Sequence, residues 1–412
     1  MHKLVTGSLV LAAVFAVTAL LGLPVQAQTY KIIYDVGNSS GESPGATLLL
    51  SKSGRLYGTM QTGPNGGSGD VFEFRRAGAG WIFSPIHLFT APFGGDDGAD
   101  PINKGGLTVG PDGSYYGTTE GGGIDDGNLS LGVVFKITPP LTACLSALCP
   151  WKLTVLYKFQ NSPDGAFPHG NVIFDAAGNI YGTTNEGGTY GYGTVFKLAP
   201  SNGGWTETVL HSFPCCGLPD AGLAMDGAGN LYGAILSDYY NAHYGAVFEL
   251  NPAGNDWNYS VIHAFTDTTE GCYPYGGVVF DEEGNLYATT TQCGPGNGGT
   301  VFELSPSDSG WTFQTIYSFV GNRGPQSTLT IDSGGILYGT TQDDGAHGGG
   351  SVFRLSPSGG GWNFTSLHDF IADGHDGVYP VGGVTLAPDG TLYGTTVNGG
   401  AYNAGVVWQI TP

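Results

Sequence analysis

Short runs of β-branched and aromatic residues alternate along the chain with clusters of Gly, Asn, Asp, Ser and Pro. Residues 276–319 show the pattern clearly, because VVFD, LYATT, TVFEL and WTFQTIYSF are separated by turn-forming residues. Such runs suit a pleated, buried surface, and the residues between them accept the dihedral angles of tight turns. The stretch therefore predicts a unit of four antiparallel β-strands.

This four-strand unit recurs seven times along the chain. The second strand of each copy carries a tyrosine within Leu-Tyr-Gly-Thr or a close variant, at Tyr57, Tyr116, Tyr181, Tyr232, Tyr287, Tyr338 and Tyr393. A Val-Phe pair marks the third strand and becomes Val407-Trp408 in the last copy, and a Trp enters the fourth strand of six copies. Four-strand repeats of about 50 residues are typical of β-propeller blades.

The seventh copy stops after its third strand at Pro412, and the missing strand is found at the other end of the chain. Residues 30–36 match the fourth strands of the other copies and precede the first copy. Closing a ring in this way removes an exposed sheet edge, whereas an open stack gains nothing from dividing a unit. The sequence thus predicts an all-β fold: a seven-bladed β-propeller of four-stranded blades, closed by the N-terminal strand, in one domain over residues 28–412.

Residues 1–27 differ from the repeats. Lys3 is followed by an apolar run over residues 9–23 and by Val25-Gln26-Ala27, the pattern of a secretory signal peptide cleaved after Ala27. An uncleaved anchor is the alternative, although the run is short for a membrane span. We expect a secreted or cell-surface protein with no membrane span after cleavage.

Composition narrows the class of partner. With 73 Gly, 12% aromatic and 11% charged residues, the chain resembles neither a disordered protein nor a collagen. Its net charge of −21 becomes −22 without the leader, which carries one Lys and no acid. This charge opposes nucleic-acid binding and is compatible with a neutral glycan, a protein partner or a divalent cation. We expect a monomer that requires no cofactor.

The repeated motif resembles that of a known family. Residues 178–184, Gly-Asn-Ile-Tyr-Gly-Thr-Thr, and residues 193–198, Gly-Thr-Val-Phe-Lys-Leu, are similar to the GloVer (Gloeo-Verruco) tandem repeat of exported bacterial proteins. The resemblance covers essentially the whole mature chain and implies a secreted or surface protein of a bacterium. It implies no established activity, so no catalytic residue is carried over. Copies four and five depart from the motif at Ala234 and Ala288.

The loops before strand one and between strands two and three share one face of a propeller, and loops on a rigid scaffold commonly carry function. An acid followed by Gly recurs at a fixed distance before Pro, which indicates turn chemistry. One blade departs from this pattern with five carboxylates on neighbouring loops: Asp96, Asp97, Asp100, Asp125 and Asp126. Their oxygens could bind Ca²⁺, although no known calcium-loop spacing is present.

Aromatic and histidine side chains on this loop face form a second candidate site, for a glycan or a protein: Tyr190, Tyr192, Tyr239, Tyr240, His243, Tyr244, Tyr273, His375, Tyr379 and Tyr402. Exposed aromatic residues with Asn and Gly commonly hold sugar rings, but tyrosines also anchor glycine-rich loops by packing. His347 and His375 lie near acids, which could support acid–base chemistry.

Four further histidines share their fourth-strand position with tyrosines of other blades: His87, His211, His263 and His368 with Tyr34, Tyr157 and Tyr317. Since the ring keeps the blades apart, we interpret this position as structural. No hydrolase, phosphate-loop or zinc-protease motif is evident. We therefore expect a non-catalytic exported ligand-binding or interaction scaffold. A polysaccharide-active hydrolase or lyase is one alternative, and a purely structural surface protein is another.

The six cysteines are even in number in a chain expected to be exported, so disulfides are expected. Two pairs are predicted: Cys272–Cys293, whose loops share one face of a blade, and Cys144–Cys149, which flank a hairpin turn. Cys215 and Cys216 remain, either as a vicinal disulfide or as two thiols.

Overall fold

The computed structural model describes residues 28–37, 41–63, 67–89, 95–101, 106–123, 130–140, 151–237 and 244–412. Within these ranges it contains seven four-stranded antiparallel sheets and two short two-stranded ones. The same ranges hold no apolar helix of membrane-spanning length. Seven such sheets arranged in a ring form a seven-bladed β-propeller, so the predicted fold class is confirmed.

The strands follow one order in each blade. β1 (Thr29–Asp35) precedes the first blade, which contains β2 (Leu49–Leu50), β3 (Leu56–Met60), β4 (Asp70–Ala77) and β5 (Gly80–Leu88). The second blade contains β6 (Thr108–Val109), β7 (Tyr115–Thr119), β8 (Val133–Thr138) and β9 (Lys152–Lys158). After β10 (Gly165–Ala166), the third blade contains β11 (Ile173–Phe174), β12 (Ile180–Thr184), β13 (Glu186–Gly187, paired with β10), β14 (Thr194–Ser201) and β15 (Gly204–Ser212).

The remaining blades repeat this order. The fourth contains β16 (Ala224–Met225), β17 (Leu231–Ile235), β18 (Ala246–Ala253) and β19 (Asp256–Ala264), and the fifth contains β20 (Val279–Phe280), β21 (Leu286–Thr290), β22 (Asn297–Ser307) and β23 (Gly310–Val320). The sixth contains β24 (Thr330–Ile331), β25 (Leu337–Thr341), β26 (Ser351–Ser358) and β27 (Gly361–Asp369). After β28 (Gly377–Val378), the seventh contains β29 (Thr385–Leu386), β30 (Leu392–Thr396), β31 (Asn398–Gly399, paired with β28) and β32 (Val406–Thr411).

The N-terminal strand completes the seventh blade. Its sheet has the order β1-β32-β30-β29, and the β1–β32 register runs from Thr29 opposite Thr411 to Asp35 opposite Val406. The two ends of the chain are therefore hydrogen-bonded to each other, as the offset of the repeat predicts. This pairing covers the edge that β32 would otherwise expose.

The core lies between neighbouring blades. Val247 and Tyr232 of the fourth blade pack in one apolar cluster with Leu286 and Phe302 of the fifth. Each blade buries both faces of its sheet in this way. The Val and Phe of the third strand point to opposite faces and are nevertheless both fully buried, as at Val301 and Phe302.

The first strands form the inner ring of the propeller. Threonine side chains join them from blade to blade, because the hydroxyl of Thr108 donates to the carbonyl of Val172 at 2.6 Å. The hydroxyls of Thr330 and Thr385 likewise donate to the carbonyls of Val384 and Leu48. Residues at the start of each first strand therefore surround the central axis.

The outer strands form a stack of rings at the rim. A His or Tyr of one blade lies nearly parallel to a ring of the next blade, in the pairs Tyr34–Phe83, His211–Tyr259, His263–Phe313, Tyr317–Phe364 and His368–Tyr30. Glu207 occupies this ring position in the third blade, opposite Leu198 as Phe313 is opposite Leu304. Burial, with a smaller contribution from Asp164, raises the pKa of Glu207 to about 7.

Candidate functional site

Seven prolines mark the loops that lead into the first strands: Pro44, Pro101, Pro168, Pro219, Pro274, Pro325 and Pro380. These prolines pack on the preceding blade, as Pro219 does against Gly193, where an added Cβ would lie 2.7 Å from Pro219 Cδ. The following residue differs from blade to blade: Gly45, His169, Asp220, Tyr275, Gln326 and Val381 in the described part of the chain. We call these residues, with those that directly follow the second strands, the mouth of the propeller.

His169 lies in the mouth between two carboxylates of neighbouring blades. Its Nδ1 is 2.5 Å from Asp220 Oδ1, and its Nε2 is 3.7 Å from Glu120 Oε1. Burial alone would lower the pKa of His169, but the hydrogen bond to Asp220 and the nearby Glu120 carboxylate outweigh it and raise the pKa to about 9. His169 is therefore an imidazolium at neutral pH and donates its Nδ1–H to Asp220.

The second nitrogen of this imidazolium has unused hydrogen-bonding capacity. Nε2 is buried and has no hydrogen-bond partner among the residues that the structure describes, and 3.7 Å to Glu120 is too long for a hydrogen bond. The side chain of Glu120 remains 33% exposed, whereas that of Asp220 is 7% exposed. Nε2 and Glu120 thus form an ion pair without a hydrogen bond, so the buried N–H and the accessible carboxylate both keep hydrogen-bonding capacity.

Polar groups extend from this cluster around one side of the mouth. Burial, followed by the charge of Asp220, raises the pKa of Tyr275, and the charge of Arg323 opposes that shift. The side-chain amides of Gln326 and Gln342 hydrogen-bond to each other. On the other flank, the backbone N–H of Glu120 donates to the carbonyl of Asp100 at 3.0 Å. A polar arc therefore runs from the second blade to the sixth.

The mouth is apolar where the seventh blade meets the first. Gly45 lies between Val381 and Val397, whose side chains are 3.2 and 3.3 Å from the position a Cβ at residue 45 would take. Both valines are half-buried. The mouth thus offers hydrogen-bonding groups on one side and methyl groups on the other.

The predicted aromatic residues are distributed around the ring. Tyr190 and Tyr402 are 59% and 67% exposed and belong to the third and seventh blades. Among the described members of this set, Tyr244 and Tyr273 are joined between two blades, because the backbone N–H of Tyr273 donates to the carbonyl of Tyr244 at 2.7 Å.

The other predicted binding residues also lie apart. The Tyr192 carbonyl accepts from Leu218 N–H, Tyr379 is 38% exposed, and His375 lies in an exposed turn held by Asp373. Tyr239, Tyr240 and His243 lie outside the described residues. Binding by these side chains stays a prediction.

Two of the predicted calcium ligands are engaged by neighbouring side chains. Asp96 Oδ1 is 3.1 Å from Lys158 Nζ, and Asp97 Oδ2 is 3.0 Å from His87 Nε2. Asp100 lies beside Glu120, and burial, with Glu120 as a smaller cause, raises its pKa. Asp125 and Asp126 lie outside the described residues, and no cluster suited to a metal ion is found among the residues described. The calcium site therefore stays a prediction.

The histidines of the rim pair with the acids that recur before the loop prolines. Their Nε2 atoms lie close to these acids in three blades: His87–Asp97 at 3.0 Å, His263–Glu270 at 3.1 Å and His368–Asp376 at 2.8 Å. Tyr157 donates to Asp164 in the same way at 2.9 Å. Each acid thus fastens a loop to the outer strand, in keeping with the structural interpretation of both positions.

The cysteines are resolved in part. The predicted Cys272–Cys293 disulfide is present. Cys215 and Cys216 bring their Sγ atoms to 2.7 Å without a bond. Cys144 and Cys149 lie outside the described residues.

His169, Asp220 and Glu120 were not predicted from the sequence. The sequence does contain a sign of this cluster, because the residue after an otherwise repeated proline changes from blade to blade. The acids before these prolines were recognised as a repeated feature, but the residues after the prolines were not compared.

Comparison with protein-family models decides the relationship of the chain. Residues 145–268 and 218–412 match the Gloeobacter/Verrucomicrobia repeat. The chain belongs to this family. The resemblance to the GloVer repeat is thereby confirmed for this Gloeobacter/Verrucomicrobia repeat protein. A comparison with curated protein sequences found no match.

Solved structures similar to this Gloeobacter/Verrucomicrobia repeat protein share its fold at low sequence identity. The extracellular domain of a protein assigned to a one-component system of B. thetaiotaomicron aligns with a TM-score of 0.53 and 9% identity, over 92% of this chain and 40% of that one. PorZ, a surface component of the type-IX secretion system of Porphyromonas gingivalis, aligns with a TM-score of 0.50 and 14% identity, over 90% and 47%. At these identities the comparison shows the fold alone.

Proposed function

We propose that the protein is an exported, non-catalytic propeller that binds a glycan at its mouth. The cluster of Glu120, His169 and Asp220 supports this proposal, because its imidazolium keeps an unused Nε2–H beside a part-exposed carboxylate. In this account Glu120 accepts hydrogen bonds from ligand hydroxyls. His169, held by Asp220, keeps the Glu120 carboxylate ionised and oriented.

The division of the mouth favours a sugar over other small ligands. A sugar ring has an edge of hydroxyls and a face of C–H groups, which suit the polar arc and the Val381–Val397 side respectively. Two carboxylates and one imidazolium leave the cluster with a net negative charge, so an anionic ligand is disfavoured there. A neutral sugar meets both conditions.

The binding test uses the mature chain on a glycan array, followed by isothermal titration calorimetry on each neutral hit. Glu120→Gln removes the accepting charge and should weaken binding by tenfold or more, since hydrogen bonds to charged groups contribute about 1.5–3 kcal/mol. His263→Gln is the matched control, because it breaks a histidine–carboxylate pair at the rim. Absence of neutral-glycan binding, or equal binding by Glu120→Gln and the wild type, would contradict the proposal.

The same experiment separates the alternatives. Turnover of a bound glycan would assign the protein to the polysaccharide-active enzymes, and a loss of binding on chelation would support the calcium site. If no glycan on the array binds, the remaining interpretation is a purely structural surface protein. Export is proposed from the leader and the family, and an N-terminus at Gln28 in the secreted protein would support it.

A further inference from the structure

The end of the ring opposite the mouth carries grooves at the seams between blades. At the seam where the ring closes, a groove of about 490 Å³ lies between the seventh and first blades. It is lined by Lys52 and Arg76 of the first blade and by Ala387, Asp389 and Tyr393 of the seventh. Grooves of the same kind occur between the third and fourth blades and between the fifth and sixth.

Two residues of the closing groove depart from the repeat. Arg76 pairs with Trp81 where other blades pair a proline with their tryptophan, in Pro200–Trp205, Pro252–Trp257, Pro306–Trp311 and Pro357–Trp362. Ala387 occupies the turn position at which Asp175, Asp226, Asp281 and Asp332 accept a hydrogen bond from the tyrosine of their own blade. The closing seam therefore lacks the acid of this turn and gains a cation at the proline position.

The two departures act on the same tyrosine. With no aspartate at residue 387, the Tyr393 hydroxyl accepts a hydrogen bond from Arg76 Nη2 at 2.9 Å. The guanidinium also lies 4.6 Å from the centre of the Trp81 ring. These contacts fix the guanidinium and use few of its five N–H donors, and Arg76 remains exposed.

The groove is positive within an acidic protein. Lys52 is exposed and has no ion pair among the described residues. Asp389 accepts the backbone N–H of Thr391, and this hydrogen bond and, to a smaller extent, the charge of Arg76 lower its pKa. Two cations and one acid leave the groove with a net positive charge. By contrast, the groove between the fifth and sixth blades is lined by four acids and no cation: Asp281, Glu282, Glu283 and Asp332. Since the rest of the protein repels anions, an anion that binds should bind in the closing groove.

We propose that the closing groove is a binding site for an anionic group, a carboxylate or a phosphate, carried on a small polar molecule such as an acidic sugar. Arg76 and Lys52 bind the charge, and Tyr393 with Leu50 and Leu386 provides a wall for the rest of the ligand. Carboxylate and phosphate share the oxygen geometry that a fixed guanidinium recognises. This site is independent of the mouth, and it takes an anionic ligand whereas the mouth takes a neutral one.

Isothermal titration calorimetry with glucuronate, glucose 6-phosphate and glucose tests the proposal. We expect saturable binding of glucuronate, glucose 6-phosphate or both, weakened at high salt, and at least tenfold weaker binding of glucose. Binding of only one anion assigns the group as carboxylate or phosphate. Failure of both anions to bind, or equal affinity for glucose, would overturn the proposal.

Variants locate the binding. Arg76→Pro restores the residue of the other blades and should weaken anion binding by tenfold or more, as should Ala387→Asp. Arg76→Gln gives the same readout if the proline variant does not fold. Arg354→Gln is the matched control, because it removes an exposed cation paired in register with Tyr338 of the sixth blade, and it should change the affinity less than twofold. Equal anion affinity in the wild type and Arg76→Gln would refute the site.

Discussion

The charge state of His169 makes the stability of the propeller depend on pH in a defined window. Its pKa is raised from 6.5 to about 9 in the folded protein, so the folded state holds its proton more tightly than the unfolded state. The stabilisation is fully present below pH 6.5 and is lost as the pH rises through 9. A tenfold change in proton affinity corresponds to about 1.4 kcal/mol, which gives about 3 kcal/mol in total.

The assay compares denaturant unfolding of the wild type and His169→Gln at pH 6.5 and about 9.5, followed by tryptophan fluorescence. The wild type should lose about 3 kcal/mol more of its free energy of unfolding across this window than the variant does. His263→Gln is the control, because burial lowers the pKa of His263 and places its titration below the window. Equal losses in the wild type and His169→Gln would refute the assignment of His169 as an imidazolium.

Three further predictions concern the framework. Glu207→Phe should complete the stack beneath Tyr157 and raise the free energy of unfolding by about 1–2 kcal/mol at pH 8. The gain should be smaller at pH 5, where Glu207 is protonated, and thermal melts that show no gain at pH 8 would contradict it. Cys272→Ser should lower the free energy of unfolding by about 3 kcal/mol, and non-reducing peptide mapping should link Cys272 to Cys293 in the wild type. Deleting residues 28–36 should expose the β32 edge and cause self-association in light scattering, whereas a monomer of unchanged melting temperature would show that closure contributes nothing.

The repeated framework could be predicted because local and periodic constraints determine its residues. A Val-Phe pair that recurs at one distance from Leu-Tyr-Gly-Thr reports a strand buried on both faces, and the offset of the last copy reports closure. Both inferences need only the order of residues along the chain. The Cys272–Cys293 disulfide followed from the same topology, since it needed only the knowledge that two loops share a face.

The mouth was harder to predict because its chemistry depends on contacts between blades. His169, Glu120 and Asp220 come from three successive blades, 49 and 51 residues from one another, and no short motif joins them. The recurring acids were recognised as turn residues, but their pairing with rim histidines, such as His263 with Glu270, required the packed side chains. Departures from a repeat therefore identify candidate sites, and only the three-dimensional arrangement shows which departures meet.

The most direct test of the glycan site is a crystal structure of the protein with a neutral glycan identified on the array. The account predicts that the sugar lies in the mouth, with a hydroxyl within hydrogen-bonding distance of the Glu120 carboxylate and a C–H face towards Val381 and Val397. A sugar bound instead over Tyr190 or Tyr402, with the mouth unchanged, would contradict it.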